Sequence, residues 1–109
     1  MKTHIKNSDV PLEKVGEGVT RQIMGYDTDL MLVKVNFTRG GIGYAHKHVH
    51  QQVSYVMDGK FEVEIDGKKE ILEKGDAFVV PSDVMHGAVC LEDGILIDTF
   101  SPARQDFLK

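Results

Sequence analysis

"QVSYVMDGKFEVEIDGKKEIL", residues 52–72, holds three short runs divided by two copies of Asp-Gly. In "KFEVEI", Phe61, Val63 and Ile65 point one way while Glu62, Glu64 and the following Asp66 point the other, since successive strand side chains take opposite faces. Asp-Gly supplies the positive φ angles that a tight hairpin needs, so turns are expected at Asp58-Gly59 and at Asp66-Gly67. The same rhythm runs outward in both directions. "TRQIMGY" (20–26) and "LMLVKVNFT" (30–38) read as strands separated by "DTD", and "RGGIGYA" (39–45) as a glycine-rich loop. "AFVVP", "HGAVCL" and "GILIDTF" complete the set, and no segment carries a helical period. Many short strands imply an all-β sandwich or barrel, and antiparallel barrels of this size often enclose a ligand cavity.

Composition narrows the functional classes. A chain of 109 residues makes a single domain, 1–109, with a core at about 20–101, an N-terminal arm and a short C-terminal tail. Thirteen Lys and Arg against seventeen Asp and Glu give a net charge of −4 without a basic face, which excludes nucleic acid as the main partner. No apolar run approaches membrane-spanning length, so no membrane partner is expected. The start, "MKTHIKNSDVPLEK", lacks the hydrophobic segment of a secretion signal, and a cytoplasmic location is expected. Cys90 is the single cysteine, which excludes an internal disulfide and fits a reducing compartment.

Two stretches carry chemistry. "HKHVHQQ" (46–52) spends three of the five histidines on one short span. On a strand, residues two apart share a face, so His46 and His48 converge on one point; a solvent-facing polar stripe has the same spacing. In "ILIDTF", Ile95, Ile97 and Thr99 share one face, and Leu96, Asp98 and Phe100 the other. An acid among apolar residues is costly to bury without a partner, so Asp98 faces either solvent at an edge or a polar cavity. The neighbouring Phe100 and Arg104 favour the cavity.

The spacing resembles that of the cupins. Gly40, five residues, His46-Lys47-His48, three residues, Gln52, six residues and Gly59 follow the first cupin motif. Gly75, five residues, Pro81 and then His86 follow the second, with fifteen residues between Gly59 and Gly75. The resemblance implies a small antiparallel β-barrel, or jelly roll, with His46, His48, residue 52 and His86 meeting a metal. Gln52 stands where glutamate is usual, and Asp83 and Cys90 replace the usual glycine and asparagine. An amide oxygen is an uncharged ligand that leaves a dication its full charge, which suits a site that holds an anion. His50 falls outside the motif register and is expected at the rim.

From about Arg21 onward the chain is similar to the KdgF family, cupins of pectin and alginate degradation that open 4,5-unsaturated monouronates to linear keto forms. That resemblance implies His46, His48, Gln52 and His86 as ligands of a divalent metal, with nickel, zinc, iron or manganese all acceptable to such donors. It also places the catalytic acid on Asp98, the aromatic on Phe100 and the arginine on Arg104. The expected partner is a small anionic sugar, with Asp98 moving the proton that reaches C4. Phe100 would pack on the ring, and Arg104 would bind the carboxylate or orient Asp98. A metal-dependent dioxygenase and a non-catalytic sugar-binding cupin are the alternative readings. Pairing through sheet edges is expected to make a homodimer.

Overall fold

Alternating segments become strands wherever one face finds apolar cover. The computed structural model describes residues 1–108; Lys109, the last residue of the expected domain, lies outside them. Eight strands form one antiparallel sheet: β1 Glu13–Gly16, β2 Val19–Asp27, β3 Leu30–Phe37, β4 Ile42–His46, β5 Gln51–Ile65, β6 Lys68–Glu73, β7 Ala77–Val80 and β8 His86–Ser101. Their order is β1-β2-β3-β8-β5-β6, with β4 added against β8 and β7 against β5. Among the described residues, the helical elements are 3-10 turns at Asn7–Asp9 and Gln105–Leu108. Among these residues no helix is long and apolar enough to cross a membrane.

β5 and β8 are long because each serves both halves of the fold. The first half of β5 pairs with β7 and the second with β6, while β8 follows β5 from Gln51↔Ser101 to Ile65↔His86. The hinge between halves is Asp58-Gly59, where the β5–β8 register slips. A Cβ on Gly59 would lie 2.5 Å from both the Asp93 carbonyl oxygen and the Gly94 Cα. This corrects the sequence expectation: Asp58-Gly59 is a bulge inside one continuous strand, not a hairpin turn. Gly59 alone of that pair takes a positive φ (83°), whereas Asp66 and Gly67 both do (52° and 80°) and form the β5–β6 turn.

Two further boundaries differ from the sequence reading. The segment 39–45 is not all loop, because Gly40 N–H donates to Cys90 O and Cys90 N–H to Gly41 O, both at 2.9 Å. Those bonds seat β4 against β8. Likewise "HGAVCL" and "GILIDTF" are one strand, β8.

Inward side chains form two clusters. Val56, Phe61, Val63, Phe78, Val80, Cys90 and Leu96 fill one half with Val19 and Phe37, and Phe37 meets Phe61 edge to face at 5.1 Å. Met31, Val33, Phe100 and Ala103 make a smaller cluster in the other half. Burying one such aromatic side chain contributes about 2–3 kcal/mol. The N-terminal arm is held by Gln22, whose buried amide donates to the carbonyls of Asn7 and Val10. Polar inward-facing residues collect beside the smaller cluster, where the chemistry sits.

Candidate metal centre

Cross-strand register assembles the site. Pairing of β4 with β8 sets His46 directly opposite His86. Pairing of β5 with β8 sets Gln52 opposite Phe100 and Ser54 opposite Asp98. His48 arrives differently from the strand argument. β4 ends at His46, and residues 47–50 form an irregular connection, so His48 is not on His46's strand face. Its position comes from the connection's own bonds: the Asp83 N–H donates to His48 O at 2.8 Å, and Ser82 Oγ donates to Val49 O.

Each imidazole is oriented by a backbone carbonyl. His46 Nδ1 meets Tyr44 O at 2.8 Å, His48 Nδ1 meets His50 O at 2.9 Å, and His86 Nδ1 meets Val84 O at 2.9 Å. A carbonyl only accepts, so each Nδ1 carries a proton, which leaves Nε2 as the ligating nitrogen of each ring. The three rings' ligand atoms lie within 4.8 Å of one another. Nitrogens bound at about 2.1 Å to one ion stand roughly 3–4 Å apart, so modest side-chain adjustment suffices. Burial, then the charges of His46, His48 and Arg104, hold the His86 pKa below its ordinary value against the pull of the Val84 carbonyl. A neutral imidazole is the ligating form.

Gln52 can offer a fourth donor. Its Nε2 donates to Ser54 Oγ at 2.9 Å, which commits Oε1 to the cavity, 3.0 Å from His48 Nε2. In the His48 form that carries its proton on Nδ1 alone, both atoms offer lone pairs, which suits a shared cation. Three lone-pair nitrogens and an amide oxygen turned to one point fit a divalent metal, with His46, His48, Gln52 and His86 as its holders.

Asp98 stands next to this centre. Ser54, itself fully buried, donates to Asp98 Oδ1 at 2.6 Å, completing a chain from Gln52 through Ser54 to the carboxylate. Burial pushes the Asp98 carboxyl up to about 6, against the Ser54 hydrogen bond and the charges of Arg104 and His46. Arg104 is buried and bound in bidentate fashion by Asp106, Nε to Oδ1 at 3.0 Å and Nη2 to Oδ2 at 2.8 Å. Its guanidinium lies over Phe107 at 4.2 Å and Phe100 at 5.1 Å. His46, Gln52, His86, Asp98, Phe100 and Arg104 line one cavity of ≈ 140 Å³. His50 contributes its carbonyl to orient His48, as a neighbour of the donor set.

A family model described as "Cupin domain" matches residues 33–98. The pectin degradation protein KdgF of Dickeya dadantii is 48% identical over 110 residues, covering 99% of this chain and 100% of that protein. This chain is a cupin of the KdgF family. The solved structure of KdgF from Halomonas sp. superposes with a TM-score of 0.93 at 45% identity, covering 98% of this chain and 99% of that one. An RmlC-like cupin from Shewanella frigidimarina also gives 0.93, at 50% identity, with 97% and 96% covered.

In this KdgF-family chain, glutamine at position 52 has a reason beyond its neutral charge. The Ser54 hydroxyl has one proton and gives it to Asp98, so its oxygen needs a donor on the other side. An amide N–H provides that; a carboxylate at position 52 could not. Ser54 was missed in the sequence, although the alternation of "QVSYV" places it on the face of Gln52. Asp106 and Phe107 carried no signal, because their part depends on the tail folding back over the site.

Proposed function

We propose that this chain opens the ring of 4,5-unsaturated monouronates from pectin or alginate breakdown, yielding linear keto acids. The observation that carries the reading is the hydrogen-bonded chain Gln52–Ser54–Asp98, which sets a proton-accepting carboxylate beside an imidazole cluster fit for a metal. The KdgF relative's name in pectin degradation supports the substrate class. The unsaturated uronate is a cyclic enol ether with a C5 carboxylate and a hemiacetal at C1.

When bound, a divalent ion held by His46, His48, Gln52 and His86 supplies Lewis-acid polarisation and a fixed point for substrate oxygens. Asp98 accepts the C1 hydroxyl proton as the bond from C1 to the ring oxygen breaks. It returns a proton to C4 as the enol becomes a ketone, so substrate and product have the same atoms and no oxidant enters. A carboxyl near 6 exchanges protons readily in both directions at neutral pH. Phe100 packs on the sugar ring. Arg104 has N–H donors beyond the two that Asp106 takes, and with the dication it draws an anion to a chain of net charge −4. Nickel, zinc, iron and manganese all suit the donors. The free, buried Cys90 fits work in the cytoplasm.

Incubation with lyase-generated unsaturated monouronate tests the reading. Loss of the conjugated-alkene absorbance is expected with metal-loaded protein, should stop with a chelator, and should proceed without oxygen uptake. Oxygen consumption would establish the dioxygenase alternative, and tight binding with unchanged sugar the non-catalytic one.

The active unit is a homodimer in this reading, formed through a sheet face in place of the sheet edges expected from the sequence. On the outer side of β5, Val53, Tyr55 and Met57 are about half exposed, and Val79 of β7 sits beside Val53 at 61% exposure. Ile97 of β8 pairs with Tyr55. A continuous apolar face of this kind is self-complementary about a two-fold axis. Light scattering after size exclusion should give twice the chain mass, and Tyr55→Lys should give the monomer with its fold intact. A monomeric wild type at micromolar concentration removes the dimer.

A further inference from the structure

Asp98 faces two cavities, and only one contains the metal-ligand amide. The second, of ≈ 260 Å³, shares His46, Asp98 and Phe107 with the first and adds Arg21 and Tyr44 against the apolar side chains of Val33 and Val35. Arg21 comes from β2, a strand that carries none of the metal donors. Its guanidinium is 4.1 Å from the centre of the Phe107 ring, the same ring that Arg104 covers at 4.2 Å. The side chain is largely buried, its ion pair with Glu13 is long at 3.7 Å, and its Nε is buried with no hydrogen-bond partner.

This is an unusual state for a charged donor. Buried polar groups are nearly always paired, and a guanidinium N–H stripped of water binds an oxygen acceptor strongly when one arrives. Phe107 holds the guanidinium in place, so little side-chain freedom is lost on binding. Arg21 and Asp98 line the same lobe. The KdgF-type reaction reading accounts for the metal, Asp98, Phe100 and Arg104, and leaves Arg21 without a role.

We propose that Arg21 is a substrate-binding residue that donates to the hydroxyl oxygens on the C1–C3 edge of the uronate ring. The carboxylate end then lies in the lobe of the metal donors and Arg104, with Asp98 between the two ends. That geometry makes the site selective for a single hexuronate carrying oxygens at both ends. The proposal rests on the ring-opening reading, and its test separates the two.

Arg21→Met and Arg21→Lys would be compared with wild type in metal content, ring-opening kinetics and calorimetric binding of D-galacturonate, a saturated hexuronate that is not turned over. Full metal content is expected in both variants. KM should rise at least tenfold in Arg21→Met with kcat within about threefold, and the galacturonate Kd should weaken by a similar factor. Arg21→Lys, which retains a cation, should fall between. Phe107→Leu keeps the donors but loosens them, and should raise KM less than Arg21→Met does. Unchanged KM and Kd in Arg21→Met, or a fall in kcat alone, would overturn the assignment while leaving ring opening intact. If wild type opens no ring, the functional reading fails by itself. Arg21 is then judged on galacturonate alone, and absent or equal binding in wild type and Arg21→Met removes it.

Discussion

Asp98→Asn should lower ring-opening turnover by about 10²–10⁴-fold, the usual worth of a positioned acid–base group, with metal content unchanged. The same substitution should make the metal-free protein more stable at neutral pH. Burial raises the Asp98 carboxyl from its ordinary 3.8 to about 6, so the folded chain holds that proton more tightly than the unfolded chain does. The group therefore favours folding most below pH 4, and that contribution is lost as pH rises through 6. At pH 7 the folded chain carries a buried carboxylate at a cost of about 3 kcal/mol, which a neutral asparagine avoids. Urea titrations of both metal-free proteins check this: a wide gap at pH 7 should nearly close at pH 4. An equal gap at both values would mean that burial of charge is not what the substitution relieves. Bound metal favours the carboxylate and should narrow the gap at pH 7.

Gln52→Glu is expected to separate metal affinity from activity. A carboxylate is the better ligand for a dication, so metal retention against a chelator should improve. Turnover at pH 7 should nevertheless fall by about 10–100-fold. Ser54 has one hydroxyl proton, and in the variant two carboxylates compete for it, where Gln52 now donates to that oxygen. Whichever carboxylate loses is buried without its donor, and neighbouring negative charges drive a carboxyl pKa upward. Asp98 is then protonated at neutral pH and cannot accept the C1 hydroxyl proton. Activity should recover as pH rises, moving the acid limb of the kcat/KM profile upward by one to two units. A variant with less turnover and an unmoved acid limb would disconnect Gln52 from Asp98.

Two identical dipeptides show how far local sequence reaches in this fold. Asp66-Gly67 is the turn its residues suggest, because both take positive φ and a Cβ on Gly67 would meet nothing within 4 Å. Asp58-Gly59 has the same composition and is a bulge, because Asp93 and Gly94 of β8 lie against it. The difference is made by a segment more than thirty residues away, so no local signal separates the two. The histidine span divides in the same way. Its donor residues follow from the cupin spacing the chain resembles, yet His48 is positioned by an irregular connection tied to Ser82 and Asp83.

The cupin spacing that the chain resembles implied the donor set of His46, His48, Gln52 and His86; residue types and their intervals determined by themselves that this chain is all β and that an acid sits among apolar strand residues. Those facts depend on side-chain chemistry and on the two-residue strand period, both local. Tertiary structure alone decided that Ser54 stands opposite Asp98, 44 residues away, that the Gln52 oxygen faces His48, and that Arg21 and Arg104 share the Phe107 ring. Register between distant strands is set by how the whole sheet curls and where its bulges fall. The partners of a buried hydrogen bond are therefore chosen by the fold and not by their neighbours in the chain.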